Sequence, residues 1–104
     1  MVEPQTWEEA AQTIANEIVK VLAERQHDYG QGNILGFGEK GILVRIWDKV
    51  NRLKNLLWDK EGEAKGERVK DTFVDLAGYS IIALMLRRGW FILPLQIEQV
   101  EHRY

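Results

Sequence analysis

The chain has 104 residues, 45% of them hydrophobic and 29% charged, with a formal net charge of −2 and no cysteine. That length suits one domain and leaves no room for two. The charge balance argues against a general nucleic-acid binder, which carries a basic excess, and the missing cysteines exclude disulfides and zinc–thiolate sites. The first residues, Met-Val-Glu-Pro-Gln-Thr-Trp-Glu-Glu, lack the basic start and apolar run of a secretory signal. The longest apolar run, Ile81 to Leu86, is too short to span a bilayer. The expectation is a cytoplasmic protein with no membrane partner and no nucleic-acid polymer as partner, forming a single domain over residues 1–104 with a core at about 7–88 and an apolar tail at 89–104.

Thr6 followed by Glu9 fits a capping box and starts a first helix. Trp7, Ala11, Ile14, Ile18, Val21 and Leu22 recur at helical spacing, against a wet face of Glu8, Gln12, Asn16, Lys20 and Glu24. This helix is predicted from about Trp7 to His27. His27-Asp28-Tyr29-Gly30 ends it, either as a plain glycine C-cap or as a site in which Tyr29 lies against a base ring and Asp28 near a metal or sugar. The segment from Tyr29 to Gly41 holds five glycines, a density that breaks helix and strand, and is predicted as a loop. It matches neither a Walker loop nor a dinucleotide fingerprint. As a loop it is either a plain connection or a lid.

A second helix is predicted over about Ile42 to Trp58, with Leu43, Ile46, Trp47, Val50, Leu53 and Leu57 as its buried stripe. Asp48, Asn51, Arg52 and Asn55 share its polar face. A charged turn from Asp59 to Glu67 leads to a third helix over about Glu67 to Arg88. Its second half is apolar nearly all round, which calls for burial on several sides and suggests a partner subunit. Gly89 is its expected C-cap. The tail from Trp90 reads as a short extended segment with a short helix after Pro94. Trp7, Trp47 and Trp58 lie on apolar stripes and are expected in the core or an interface, and His102 has no assigned role.

The chemistry concentrates on carboxylates. Glu67, Asp71 and Asp75 stand four apart, on one helix face. Like charges at that spacing repel, and burying them carries a desolvation penalty; a divalent cation is the usual reason to accept it. If the second and third helices pack antiparallel, Asp48 comes near Asp71 or Asp75, and Lys49 and Arg52 can reach phosphate oxygens beside the ion. The alternative is a set of ordinary salt bridges, Asp48 to Arg52 included.

These residues together resemble a known group. His27-Asp28-Tyr29-Gly30, the glycine-rich segment, Val44-Arg-Ile-Trp-Asp48-Lys49-Val-Asn51-Arg52-Leu53 and Lys70-Asp71-Thr72-Phe-Val-Asp75-Leu-Ala-Gly-Tyr79 are similar to MazG-like proteins. The likeness is to a small, often phage-associated or nucleotide-modification-associated subgroup of the all-α nucleoside triphosphate pyrophosphatases. The resemblance implies an all-α fold of antiparallel helices, with a four-helix-bundle-type core completed by oligomerisation as a homodimer or dimer of dimers. It implies hydrolysis of a (deoxy)nucleoside triphosphate to the monophosphate and pyrophosphate, with Mg²⁺, or Mn²⁺ in its place. Asp48, Asp71 and Asp75 would be catalytic and, with Glu67, hold the metal. Lys49, Arg52, Asn51, Asn55, Asp28, Tyr29 and Tyr79 would contact substrate. The sequence departs from the family pattern in two places. The first motif has Asp48, Lys49 and Asn51 where three glutamates are usual, and the acids of the second are four apart rather than three. A non-catalytic helical nucleotide-binding or oligomeric interaction module is therefore the rival expectation.

Overall fold

The computed structural model describes residues 2–59 and 66–96. Every regular element among them is helical: α1 (Trp7–Tyr29), α2 (Gly32–Leu35), α3 (Gly38–Lys54), a π-helical turn (Asn55–Asp59) and α4 (Gly66–Arg88). None of these helices is long and apolar enough to cross a membrane. Residues 2–30 and 94–96 fall in one compact unit, and Gln31–Leu93 form another. Residues 60–65 of the charged turn and 97–104 of the tail lie outside the described residues; Trp90–Leu93, expected as an extended segment, form a turn in which the Leu93 amide donates to the Trp90 carbonyl at 3.1 Å.

In the first unit, α1 starts where the capping box places it. Thr6 Oγ1 accepts from the Glu9 amide at 3.1 Å, and the Glu9 carboxylate reaches back to the Gln5 amide at 2.9 Å. The reciprocal bond thus lands one residue earlier than the simple box predicts. The helix runs on through Tyr29 and closes with the Gly30 amide donating to the Gln26 carbonyl at 2.8 Å. None of its residues is buried; Trp7 and Ile14 are exposed, and Ile18, Val21 and Leu22 are half-buried.

In the second unit, α3 and α4 run antiparallel. Arg87, at the end of α4, clasps Glu39, at the start of α3, through Nε and a terminal nitrogen at 2.5 and 3.1 Å. Lys49 meets Asp75 midway along the pair at 2.9 Å. The apolar core lies at the Glu39–Arg87 end, where Ile34, Ile42 and Phe91 are buried and Ile46, Tyr79, Ile82 and Leu86 pack around them.

Phe91 arrives there through a backbone reversal. Gly89, with φ 72°, donates its amide to the Leu86 carbonyl at 3.1 Å, and the Trp90 amide donates to the Met85 carbonyl at 2.9 Å. These two bonds are the Schellman motif, which needs a left-handed residue at the glycine position. The turn sends Phe91 back into the core and leaves the Trp90 ring 4.8 Å from the Arg88 guanidinium, within cation–π range.

Two expectations are corrected here. The segment from Tyr29 to Gly41 is not a long loop. Gly30 ends α1, α2 forms one turn, and α3 begins at Gly38, four residues before the predicted start. The apolar residue in its middle, Ile34, is buried against Ile42 and Phe91, and that burial outweighs the weak helix propensity of its neighbours. Gly41 is required by contact: a Cβ there would lie 2.6 Å from the Phe37 Cβ.

The second correction concerns the buried face of α3. Leu43, Trp47, Val50 and Leu57 are exposed, and Trp7 and Trp58 are also outside the core. The inward stripe is Ile42, Ile46, Lys49, Leu53 and Leu56. Helical spacing alone admits both stripes. The structure selects the one that sets Ile42 beside Ile34 and Phe91 and gives Lys49 a carboxylate on α4.

Candidate functional site

The middle of the α3–α4 seam is polar. Lys49 lies on the inward stripe of α3, its side chain 26% exposed, and Asp75 opposes it from α4 at 15% exposure. Half-burial makes each charge dependent on the other: removing one leaves an ion largely withdrawn from water. Beside them Thr72, buried, donates from Oγ1 to the Arg68 carbonyl at 2.6 Å. That bond occupies the hydroxyl within its own helix.

The other expected acids are placed differently. Asp48 precedes Lys49 by one residue and so turns about 100° around the helix; it is exposed. Asp71 and Glu67 are exposed on α4. Among the described residues no three acids or histidines gather closely enough to hold a metal ion. No ion pair joins Asp48 to Arg52 among the described residues, and Arg52 is exposed. The structure thus brings Lys49 and Asp75 together and leaves Asp48, Asp71 and Glu67 on the surface.

The remaining expected substrate residues divide between the two units. Asn51 turns its Nδ2 back to the Trp47 carbonyl at 3.2 Å. Asn55 opens the π-helical turn, its amide shared between the Arg52 and Asn51 carbonyls. Tyr79 packs against the Ile34–Ile42–Phe91 core. Asp28 and Tyr29 belong to the first unit and are exposed, Asp28 standing 3.5 Å from His27 Nδ1.

One cavity lies beyond the expected set. It has a volume of about 320 Å³ and is lined by Asn33, Ile34, Phe37, Gly41, Ile42 and Arg45, among others. Its walls are apolar except for Asn33 and Arg45, whose guanidinium donates to Asn33 Oδ1 at 2.7 Å. Sequence reasoning missed this group because the glycine-rich segment reads as an unstructured loop. A signal was nonetheless present: Arg45, Lys49 and Arg52 stand at i, i+4 and i+7, one basic stripe along α3.

The family model described as nucleotide modification associated domain 1 matches residues 25–86, from the last turns of α1 nearly to the end of α4. No curated protein and no solved structure matches the chain.

Proposed function

The chain belongs to the nucleotide modification associated domain 1 family, and from that premise we propose a Mg²⁺-dependent (deoxy)nucleoside triphosphate pyrophosphohydrolase of the MazG-like type. The observation that carries the proposal is the Lys49–Asp75 pair, a cation and a carboxylate held face to face on antiparallel helices. Phosphoanhydride hydrolysis uses groups of both kinds, a cation for phosphate oxygens and a carboxylate for a metal or water.

The described acids form no closed cage. Mg²⁺ seldom needs one: it keeps several waters and binds through one or two carboxylates together with substrate phosphates. The chain fits an open site of that kind. Asp75 would hold the ion, with Asp48, Asp71 and Glu67 as the further acids able to join it. The bound ion would supply charge neutralisation on the phosphates.

The chain's own residues do the rest. Lys49 and Arg52 face phosphate oxygens and stabilise the charge that builds as the anhydride bond breaks. A carboxylate, from Glu67 or one of the aspartates, takes the proton of the attacking water. Oxygen from that water bonds to the α-phosphorus, and pyrophosphate leaves with the electrons of the broken bond. A second copy of the chain completes a four-helix bundle by covering Leu43, Trp47, Val50 and Leu57, which stand exposed at helical spacing.

Release of pyrophosphate from a panel of standard and modified dNTPs, with and without Mg²⁺ or Mn²⁺, tests the reading. Cleavage of at least one nucleotide is expected, abolished by chelation. No release from any of them would defeat it. The same ion pair supports one rival, a non-catalytic nucleotide-binding module in which Lys49 neutralises Asp75 permanently. Nucleotide binding by calorimetry without turnover would favour that rival.

A further inference from the structure

The cavity between α2 and the first turns of α3 carries chemistry that the seam does not use. Its polar rim is the Arg45–Asn33 pair. A guanidinium only donates. Asn33 has its oxygen turned to Arg45, so its Nδ2 is left to donate as well. The rim therefore offers N–H groups from both side chains, and its one side-chain acceptor is the second lone pair of Asn33 Oδ1. Below it the walls are Ile34, Ile42 and the ring of Phe37. Phe37 is 77% exposed, and its Cβ is set close over Gly41. An exposed aromatic side chain among the residues lining an apolar cavity, beside a donor-rich rim, suits a flat heterocycle with two adjacent acceptors. The volume of about 320 Å³ lies at the small end of ligand pockets.

We propose that this cavity is a nucleobase site, with Phe37 stacking on the ring and Arg45 reading the O6 and N7 acceptors of guanine. Arginine meets that edge with two parallel N–H bonds, and adenine places a donor where guanine has O6. The position along the helix supports the assignment. Arg45, Lys49 and Arg52 lie on one stripe, and from the first to the last the axis rises about 10 Å, room for a base at one end and phosphates at the other. This inference rests on the nucleotide reading above, and it names the base that the seam alone does not select.

Binding of dGMP, dAMP, dCMP, dTMP and 7-deaza-dGMP, measured by calorimetry without metal, tests it separately from hydrolysis. The full chain is expected to bind dGMP about tenfold or more tighter than the other three bases. Loss of N7 in the deaza analogue removes a similar factor. Phe37→Ala weakens every base about tenfold through lost stacking, whereas Arg45→Met removes the guanine preference and retains the weak binding. Amide and side-chain resonances of Asn33, Phe37 and Arg45 shift on titration of the unsubstituted protein with dGMP, a readout independent of any variant. Equal binding of all four bases overturns the proposal, as does a guanine preference that survives Arg45→Met. So do shifts confined to residues away from this cavity. Absence of pyrophosphate release defeats the pyrophosphohydrolase alone, since this measurement needs no turnover.

Discussion

Helix α3 has two apolar stripes. One, Leu43, Trp47 and Val50, contains a tryptophan and no charge, yet it stays exposed. The other, Ile42, Ile46, Lys49 and Leu53, is interrupted by a lysine, continues into Leu56 of the π-helical turn and faces the unit's interior. The difference teaches that a charge on a stripe does not keep it from burial when partners are available to it. Ile42 finds Ile34 and Phe91, and Lys49 finds Asp75, so the inner stripe satisfies both its apolar and its charged members within Gln31–Leu93. The outer stripe has no charge to satisfy and is suited to association.

The largest effect expected from disturbing this contrast is on catalysis. Asp75→Asn keeps the shape of the inner seam and removes its carboxylate charge. Pyrophosphate release should fall by at least about 100-fold; an unchanged rate would remove the seam from the mechanism. Next is packing on the two faces. Ile42→Ala should destabilise the chain by about 2–4 kcal/mol in urea unfolding, the usual range for emptying a core position. Trp47→Ala should change stability by less than about 1 kcal/mol at a concentration where the chain is monomeric, and should weaken self-association in sedimentation. Equal destabilisation by the two substitutions would erase the distinction between the faces.

A smaller effect is expected at the ion pair itself. Lys49→Met leaves Asp75 without this counter-charge and should cost about 1–3 kcal/mol, much of it restored when Asp75→Leu is added. A double variant no more stable than the single one would mean that the pair is not the unit that matters. Smallest is the Arg87–Glu39 clasp, whose side chains are 71% and 51% exposed. Arg87→Ala should cost less than about 1 kcal/mol, and the loss should shrink further in high salt.

Much of the architecture was legible from periodicity. The start of α1, the span of α4 and the glycine at its C-terminus follow from caps and spacing, and the antiparallel pairing of the two later helices is the condition that their short connection favours. The glycine-rich segment was not legible, because single-residue propensities do not register that Ile34 has Ile42 and Phe91 to pack against. The orientation of α3 was hidden for a related reason: a lysine on a stripe counts against burial until its partner on another helix is known. For the site, the half-buried position of Asp75 could be inferred from its apolar neighbours, whereas that of Lys49 could not. That these two would meet each other, with Asp71 outside, depends on which residue of α4 faces the seam. Thr72 and Asp75 both lie toward the seam, and Asp71 falls just beyond it.

Phe91 joins residues near the two ends of the Gln31–Leu93 unit, for it meets Ile34 and Ile42 only after α4 has been completed. Such a contact closes a long loop, and its entropy must be met before the contact stabilises anything. The expected order of folding has α3 and α4 pairing through their middles before the α2 turn and the Gly89 reversal lock together. In the finished protein the α2 amides should exchange with solvent at the rate at which Phe91 leaves its place.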